Sequence, residues 1–171
     1  MTLQLWGRPS SARTQKVMLA LSELNLTYEF IKASATMGPK GSVSRGKTPY
    51  GIVNTTEYLE KNPNGTIPTI SDEGFILWES NAIVQYLGMK YNPKLFYDAN
   101  IETFASASRW MMWENNQLIP PMHDLAKHLY RLPENQRDED VVRTSKEKLF
   151  LEFQKVEVQL SKTRFISGDQ W

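Results

Sequence analysis

Pro68 is the residue that most restricts what this chain can fold into. It stands in Thr66 to Ser71, where Ile67 and Ile70 alternate around Pro68 and Thr69 in the manner of a strand. A proline cannot donate to a sheet ladder, so it belongs at a sheet edge or at a cis bond, and the backbone of Ile67 is left to pair with something else. Because this proline also stands beside the binding motifs described below, a cis Ile67–Pro68 bond is the expectation. The surrounding stretch, Asn62 to Tyr91, reads as strand, tight turn, strand, helix. Asn64-Gly65 is a turn signal before the first strand, and Asp72-Glu73-Gly74 turns the chain into a second strand over Phe75 to Trp78. Ser80 stands where a helix N-cap is wanted, and Ala82, Ile83, Tyr86 and Leu87 follow at helical spacing.

The pair of motifs N-P-N-G-x-I-P and W-E-S-N-A-I, with their spacing, resembles the glutathione-binding half of a glutathione transferase. The resemblance implies that Ile67, with Pro68, pairs through its backbone with the cysteinyl part of glutathione. It implies equally that Glu79 and Ser80 hold the γ-glutamyl end. The chemistry is independent of the family, because a serine and the free N–H groups of a helix start suit a carboxylate, while a glutamate suits an ammonium. Taken alone, Ser80 would only cap a helix and Glu79 only decorate its first turn.

At 171 residues the chain can bury a real core, as one large domain or two small ones. Its net charge of +1 gives no electrostatic case for nucleic acid or an anionic membrane. No apolar run approaches the ~20 residues of a membrane helix. Met1 leads into a strand rather than a signal peptide, so a cytoplasmic protein is expected. The chain has no cysteine, which excludes disulfides, thiolate metal sites and a thiol nucleophile of its own. Any thiol chemistry must use a thiol brought from outside.

The first third reads as strand (Thr2 to Trp6), helix (Val17, Ala20, Leu21 and Leu24) and strand (Tyr28 to Lys32), with Asn25 as a left-handed stop. That is a βαβ unit of the right length for a parallel crossover. Joined to the strand-strand-helix unit, it predicts a four-stranded mixed sheet in an α/β thioredoxin-like domain over residues 1–91. Between the units, Ala33 to Asn54 is a long segment rich in Gly, Ser, Lys and Pro, followed by a short helix capped by Thr55 or Thr56. Lys40, Arg45 and Lys47 are ordinary loop charges. The resemblance implies that one of them meets the glycine carboxylate of glutathione.

Asn92-Pro93 ends the α/β part, and Lys94 to Asn100 reads as a linker. Residues 92–171 are expected to form an all-α domain: a helix from Ile101 interrupted at Pro120-Pro121, a turn or two from His123 to Arg131, and a last helix opened by Asp138. This resembles the family's second domain. Because family members usually continue beyond a segment like Phe165 to Asp169, the domain is expected to be incomplete, with an apolar face uncovered. Trp110, Met111, Met112 and Trp113 read as core; the resemblance implies an apolar substrate pocket from the same helix. His123 and His128 are off the spacing of a helical metal pair, and no metal is expected.

The catalytic reading turns on Arg8 to Val17. A hydroxyl just after the first strand, at the start of the first helix, sits where the helix dipole favours an anion. Ser10, Ser11 and Thr14 could each cap that helix. In serine-type transferases, of the bacterial kind this chain resembles, the hydroxyl bonds the glutathione sulfur and favours its thiolate. Counting back from Lys16-Val17, the matching residue is Ser11. Arg13 stands where the family often has asparagine; its guanidinium either stabilises the thiolate or points outward. The resemblance thus implies a detoxifying, homodimeric transferase using glutathione as co-substrate against small apolar electrophiles or disulfides. The alternative is a glutathione-binding or regulatory module without turnover.

Overall fold

The computed structural model describes residues 2–34, 44–45, 48–49, 52–97 and 99–169, the side chains of 44, 45, 48, 49 and 97 excepted. The chain falls into two compact units, Met1–Pro93 and Lys94–Trp171. The first carries strands β1 (Leu3–Gly7), β2 (Tyr28–Lys32), β5 (Thr69–Asp72) and β6 (Phe75–Trp78) in one sheet, ordered β2-β1-β5-β6. β1 and β2 run parallel, while β5 is antiparallel to both β1 and β6. A second, two-stranded ribbon pairs β3 (Ser44–Arg45) with β4 (Thr48–Pro49). Helices α1 (Ala12–Glu23), α2 (Thr56–Lys61) and α3 (Ser80–Tyr91) complete the unit.

Period-two alternation in β1 explains the layering. Leu3 and Leu5 point to one face, where Leu5 is register partner to Ile70 and both are fully buried. The buried stripes Val17, Ala20 and Leu21 of α1 and Ile83, Val84 and Leu87 of α3 belong to helices packed on each other. Trp6 points the other way, into a cluster with Ala33, Val53 and Tyr58, the last on α2. The mixed sheet with helices is the thioredoxin-like architecture expected.

Turns follow local chemistry. Asn25 takes φ 53° after α1, where the N–H groups of Asn25 and Leu26 return to the carbonyls of Ser22 and Leu21. Glu73 (φ 54°) and Gly74 (φ 93°) form the two-residue hairpin between β5 and β6. One expectation shifts: β5 begins at Thr69, after Pro68 rather than around it, because the proline has no N–H to give the ladder.

The second unit is helical. The expected linker contains a short helix, α4 (Pro93–Tyr97), and α5 (Ile101–Trp113) begins on Asn100, whose side chain accepts from the N–H groups of Glu102 (2.7 Å) and Thr103 (3.2 Å). The expected break at Pro120-Pro121 is instead a widening. Glu114–Leu118 forms a π-helical turn, and α6 (Ile119–Ala126) follows with the prolines in its first turn. A wider turn relieves the clash of each proline ring with the carbonyl four residues back, so the helix bends its ladder without stopping. A second π-helical turn spans Lys127–Arg131, and α7 (Glu139–Leu160) starts on Asp138. Among the described residues no helix is long and apolar enough to cross a membrane.

Candidate active site

Sheet register brings the sequence-predicted residues to one end of the first unit. Trp6 of β1 lies opposite Thr69 of β5, and Thr69 opposite Trp78 of β6. One step beyond these partners the chain becomes Gly7 leading to Ser11, Pro68 with Ile67, and Glu79 with Ser80. Strand ends, a proline loop and the starts of α1 and α3 therefore share one edge. The Ile67–Pro68 bond is cis, as expected, and Ile67 packs against the Trp6 cluster.

At the start of α1 the structure separates the three candidate hydroxyls. Ser11 is the N-cap, its Oγ accepting from the Thr14 N–H at 3.4 Å. In that role the oxygen is an acceptor toward the helix, and the hydroxyl proton is left to point elsewhere. Thr14 is fully buried, and its Oγ1 accepts from the Arg8 N–H at 3.4 Å. It lies so close to Gly7 that a Cβ there would meet the Thr14 methyl at 2.5 Å. Thr14 thus locks the strand-to-helix corner and is out of reach of a ligand. Ser10 is exposed and lies outside the helix. Gln15 Nε2 donates to the Pro9 carbonyl at 2.8 Å, closing the same loop. Arg13 is half-buried in the first turn of α1.

The start of α3 departs by one residue from expectation. Glu79, not Ser80, is the N-cap residue, and Ser80 is the first helical residue, 5% exposed. Glu79 is exposed and holds φ 72°, a region that costs a side-chain-bearing residue roughly 1–3 kcal/mol. Its side chain makes no capping bond, whereas α1, α2, α5 and α7 begin on bonded caps from Ser11, Thr55, Asn100 and Asp138. The first helical turns of α1 and α3 carry no acidic residue, although Glu79 itself stands at the N-cap of α3. Two helix N-termini, which favour negative charge, thus lie at one edge of the sheet.

A bond that sequence reasoning did not find ties these helices together. Lys16 Nζ of α1 donates to Asn81 Oδ1 of α3 at 2.6 Å. The signal was present, since Asn81 sits inside W-E-S-N-A-I and Lys16 inside the α1 motif, but only the fold pairs them. Of the basic loop residues, Lys40 and Lys47 lie outside the described residues, as does the side chain of Arg45.

In the second unit, Trp113 Nε1 donates to Glu152 of α7 at 2.9 Å, and Trp110 stacks edge-on against Trp113 at 5.3 Å. Lys155 beside Glu152 and the Trp113 N–H outweigh burial and hold that carboxyl below its ordinary range. Met112 is exposed. The Nδ1 of His128 accepts from the Asp138 N–H at 3.0 Å, and no group of three metal-binding side chains occurs among the described residues.

A family model described as the N-terminal domain of glutathione S-transferase matches residues 5–95. The chain belongs to the glutathione S-transferase family. Glutathione S-transferase GstB of Escherichia coli (strain K12) is 33% identical over 171 residues, covering 99% of this chain and 76% of that protein. Glutathione S-transferase 1 of Zea mays is 27% identical over 169 residues, covering 98% of this chain and 73% of that protein. Among solved structures, the theta class glutathione S-transferase of Xanthomonas axonopodis pv. citri with glutathione bound superposes with a TM-score of 0.84. It is 28% identical and covers 100% of this chain and 76% of that one. The family and its named relatives make this transferase fold that of a transferase enzyme.

Proposed function

We propose that this chain binds glutathione at the shared edge of β1, β5 and β6 and activates it as a thiolate for attack on small apolar electrophiles or disulfides. The observation that carries this reading is the convergence of two helix N-termini without acidic first turns on the Ile67–Pro68 loop. On this reading Ser80 and the first N–H groups of α3 take the γ-glutamyl carboxylate, Glu79 takes the ammonium, and the Ile67 backbone pairs with the cysteinyl part. The sulfur lies at the start of α1, where the Ser11 hydroxyl donates to it. A bond to a charged acceptor contributes ~1.5–3 kcal/mol against ~1 for a neutral one, so the thiolate is favoured over the thiol. Arg13 adds positive charge on the same turn. The resemblance further carries a detoxifying role, a cytoplasmic location, a homodimer, and division into a binding domain over residues 1–91 and a helical domain over 92–171.

The test follows thiolate absorbance of bound glutathione against pH in the wild type, Ser11→Ala and Arg13→Ala. Ser11→Ala is expected to raise the midpoint by roughly one unit and lower turnover at neutral pH about tenfold, with glutathione affinity changing less than about threefold. A raised midpoint in Arg13→Ala alone assigns the role to Arg13. No shift in either variant, with glutathione still bound, removes both residues from thiolate stabilisation.

A further inference from the structure

The loop that presents Ile67 is gripped from beneath by three buried side chains: Asn62, which opens the N-P-N-G-x-I-P motif, and Tyr58 and Thr69, which flank it. Asn62, at the C-cap of α2, is fully buried, as is Thr69 at the start of β5, and Tyr58 of α2 is 2% exposed. Asn62 Oδ1 accepts from the Asn64 N–H at 3.1 Å, which fixes which way its amide faces. Its Nδ2 therefore supplies both remaining donors, to the Thr66 carbonyl at 2.9 Å and to Thr69 Oγ1 at 3.0 Å, with a longer approach to Thr66 Oγ1 at 3.4 Å. Tyr58 Oη lies 2.6 Å from the Thr66 carbonyl and 2.9 Å from Thr69 Oγ1.

Counting protons closes the pattern. Tyr58 has one hydroxyl proton, and only a donor can bond the Thr66 carbonyl, so that proton goes there. The Thr69 hydroxyl must then donate to Tyr58 Oη while accepting from Asn62. Four bonds form a ring with a single consistent assignment of donors: Asn62 to Thr69, Thr69 to Tyr58, and both Tyr58 and Asn62 to the Thr66 carbonyl. Burial, only partly offset by Thr69 and Asn62, pushes the Tyr58 hydroxyl above its ordinary pKa, so it remains a donor throughout the neutral range. The ring holds the residue before Ile67 by its carbonyl and the residue after Pro68 by its side chain. None of its bonds uses the N–H or C=O of Ile67.

We infer that Asn62, Tyr58 and Thr69 are positioning residues that fix the Ile67 backbone for pairing with the cysteinyl main chain of the thiol peptide. This rests on the glutathione reading above. The ring spends its donors on the flanks of the loop, so the orientation of the Ile67 peptide groups is set without consuming them. Preorganisation of this kind is worth affinity because the ligand does not have to order the loop.

The test compares two ligands by calorimetry: glutathione, and a depsipeptide analogue whose cysteinyl amide N–H is replaced by an ester oxygen. Wild type is expected to bind the ester more weakly. Thr69→Val, which keeps shape and removes the hydroxyl, is expected to weaken glutathione about fivefold to tenfold, the equivalent of one hydrogen bond, and the ester less than about twofold. Thr69→Ser should restore wild-type behaviour. If Thr69→Val does not fold, Tyr58→Phe removes the Tyr58 hydroxyl from the ring, both its bond to the Thr66 carbonyl and its acceptance from Thr69, and should give the same ligand-selective loss. Equal losses on both ligands, or lowered thermal stability with unchanged affinities, would make the ring structural only and overturn the inference. Failure of the wild type to bind glutathione at all would overturn the glutathione reading and this inference with it, and is visible before any substitution is made.

Discussion

In the first unit, apolar side chains line both faces of a sheet, and Leu5, Val17, Leu21, Ile70, Ile83 and Leu87 are fully buried. In the second, Leu149 of α7 is the one large apolar side chain buried among the described residues, at 8% exposure, while Phe150, Leu151 and Phe153 on the same helix are half-exposed or more. The first unit is held from its interior, where each buried side chain removes apolar surface from water. The second leans on helix-end chemistry: the caps Asn100 and Asp138, the His128 bond to the last helix start, and ion pairs such as Arg143 with Asp140 and Glu147. The proposed site lies on the first kind of scaffold. A site that must hold donors within tenths of an ångström needs strands and helices pinned by packing.

Truncation of core side chains tests this contrast most strongly. Leu5→Ala should cost about 3–4 kcal/mol in urea denaturation because it opens a cavity in a closed layer. Phe153→Ala, at 50% exposure, should change stability by less than about 0.5 kcal/mol. Comparable losses at both positions would erase the distinction between the units.

The next effect concerns a polar anchor in the first unit. Asp72, 2% exposed, accepts from the Tyr86 and Tyr91 hydroxyls and from Lys90, each at 2.9 Å. Burial alone would raise this carboxyl, but Lys90 and the two tyrosines outweigh it and hold it below its ordinary value. Because the folded pKa is lowered, its stabilisation is present above the unfolded value and lost as pH falls through the folded one. Asp72→Asn should cost about 2 kcal/mol at neutral pH and flatten the acid limb of the stability profile. An unchanged acid limb would show that other carboxylates set it.

Asp138→Ala removes two cap bonds, at 2.9 and 3.2 Å, from the start of α7. It should destabilise by about 1 kcal/mol, a large share of what holds a unit with so little buried. Hydrogen exchange should place that loss in α7 and leave β1 and β5 unchanged. The smallest effect has the opposite sign: Glu79→Gly relieves the φ 72° conformation and should stabilise by up to about 1 kcal/mol while weakening glutathione binding. A variant that is less stable would mean that Glu79 contributes contacts beyond its backbone.

What the sequence determined by itself was the local grammar. Asn25, Asn64-Gly65 and Glu73-Gly74 turn where their φ preferences allow, and Ser11, Thr55 and Asp138 cap helices through bonds to N–H groups two or three residues on. These interactions close within a few residues, so the residues themselves specify them. Paired with the proline motif, they were enough for the mixed sheet and for the family. The tertiary structure decided the rest. It moved the cap of α3 from Ser80 to Glu79 and turned the expected break at Pro120-Pro121 into a π-helical turn, because a helix continued by packing accommodates proline differently from one standing alone. It also chose which hydroxyl faces outward at α1: Thr14 is withdrawn by contact with Gly7, and no spacing rule reports that contact. The Lys16–Asn81 bond exists only because α1 and α3 pack side by side, and the Asn62–Thr69–Tyr58 ring closes only because the loop after α2 folds back to set that helix against the start of β5. A hydrogen bond needs its partners within a few tenths of an ångström, and over such sequence separations only the assembled fold sets that distance.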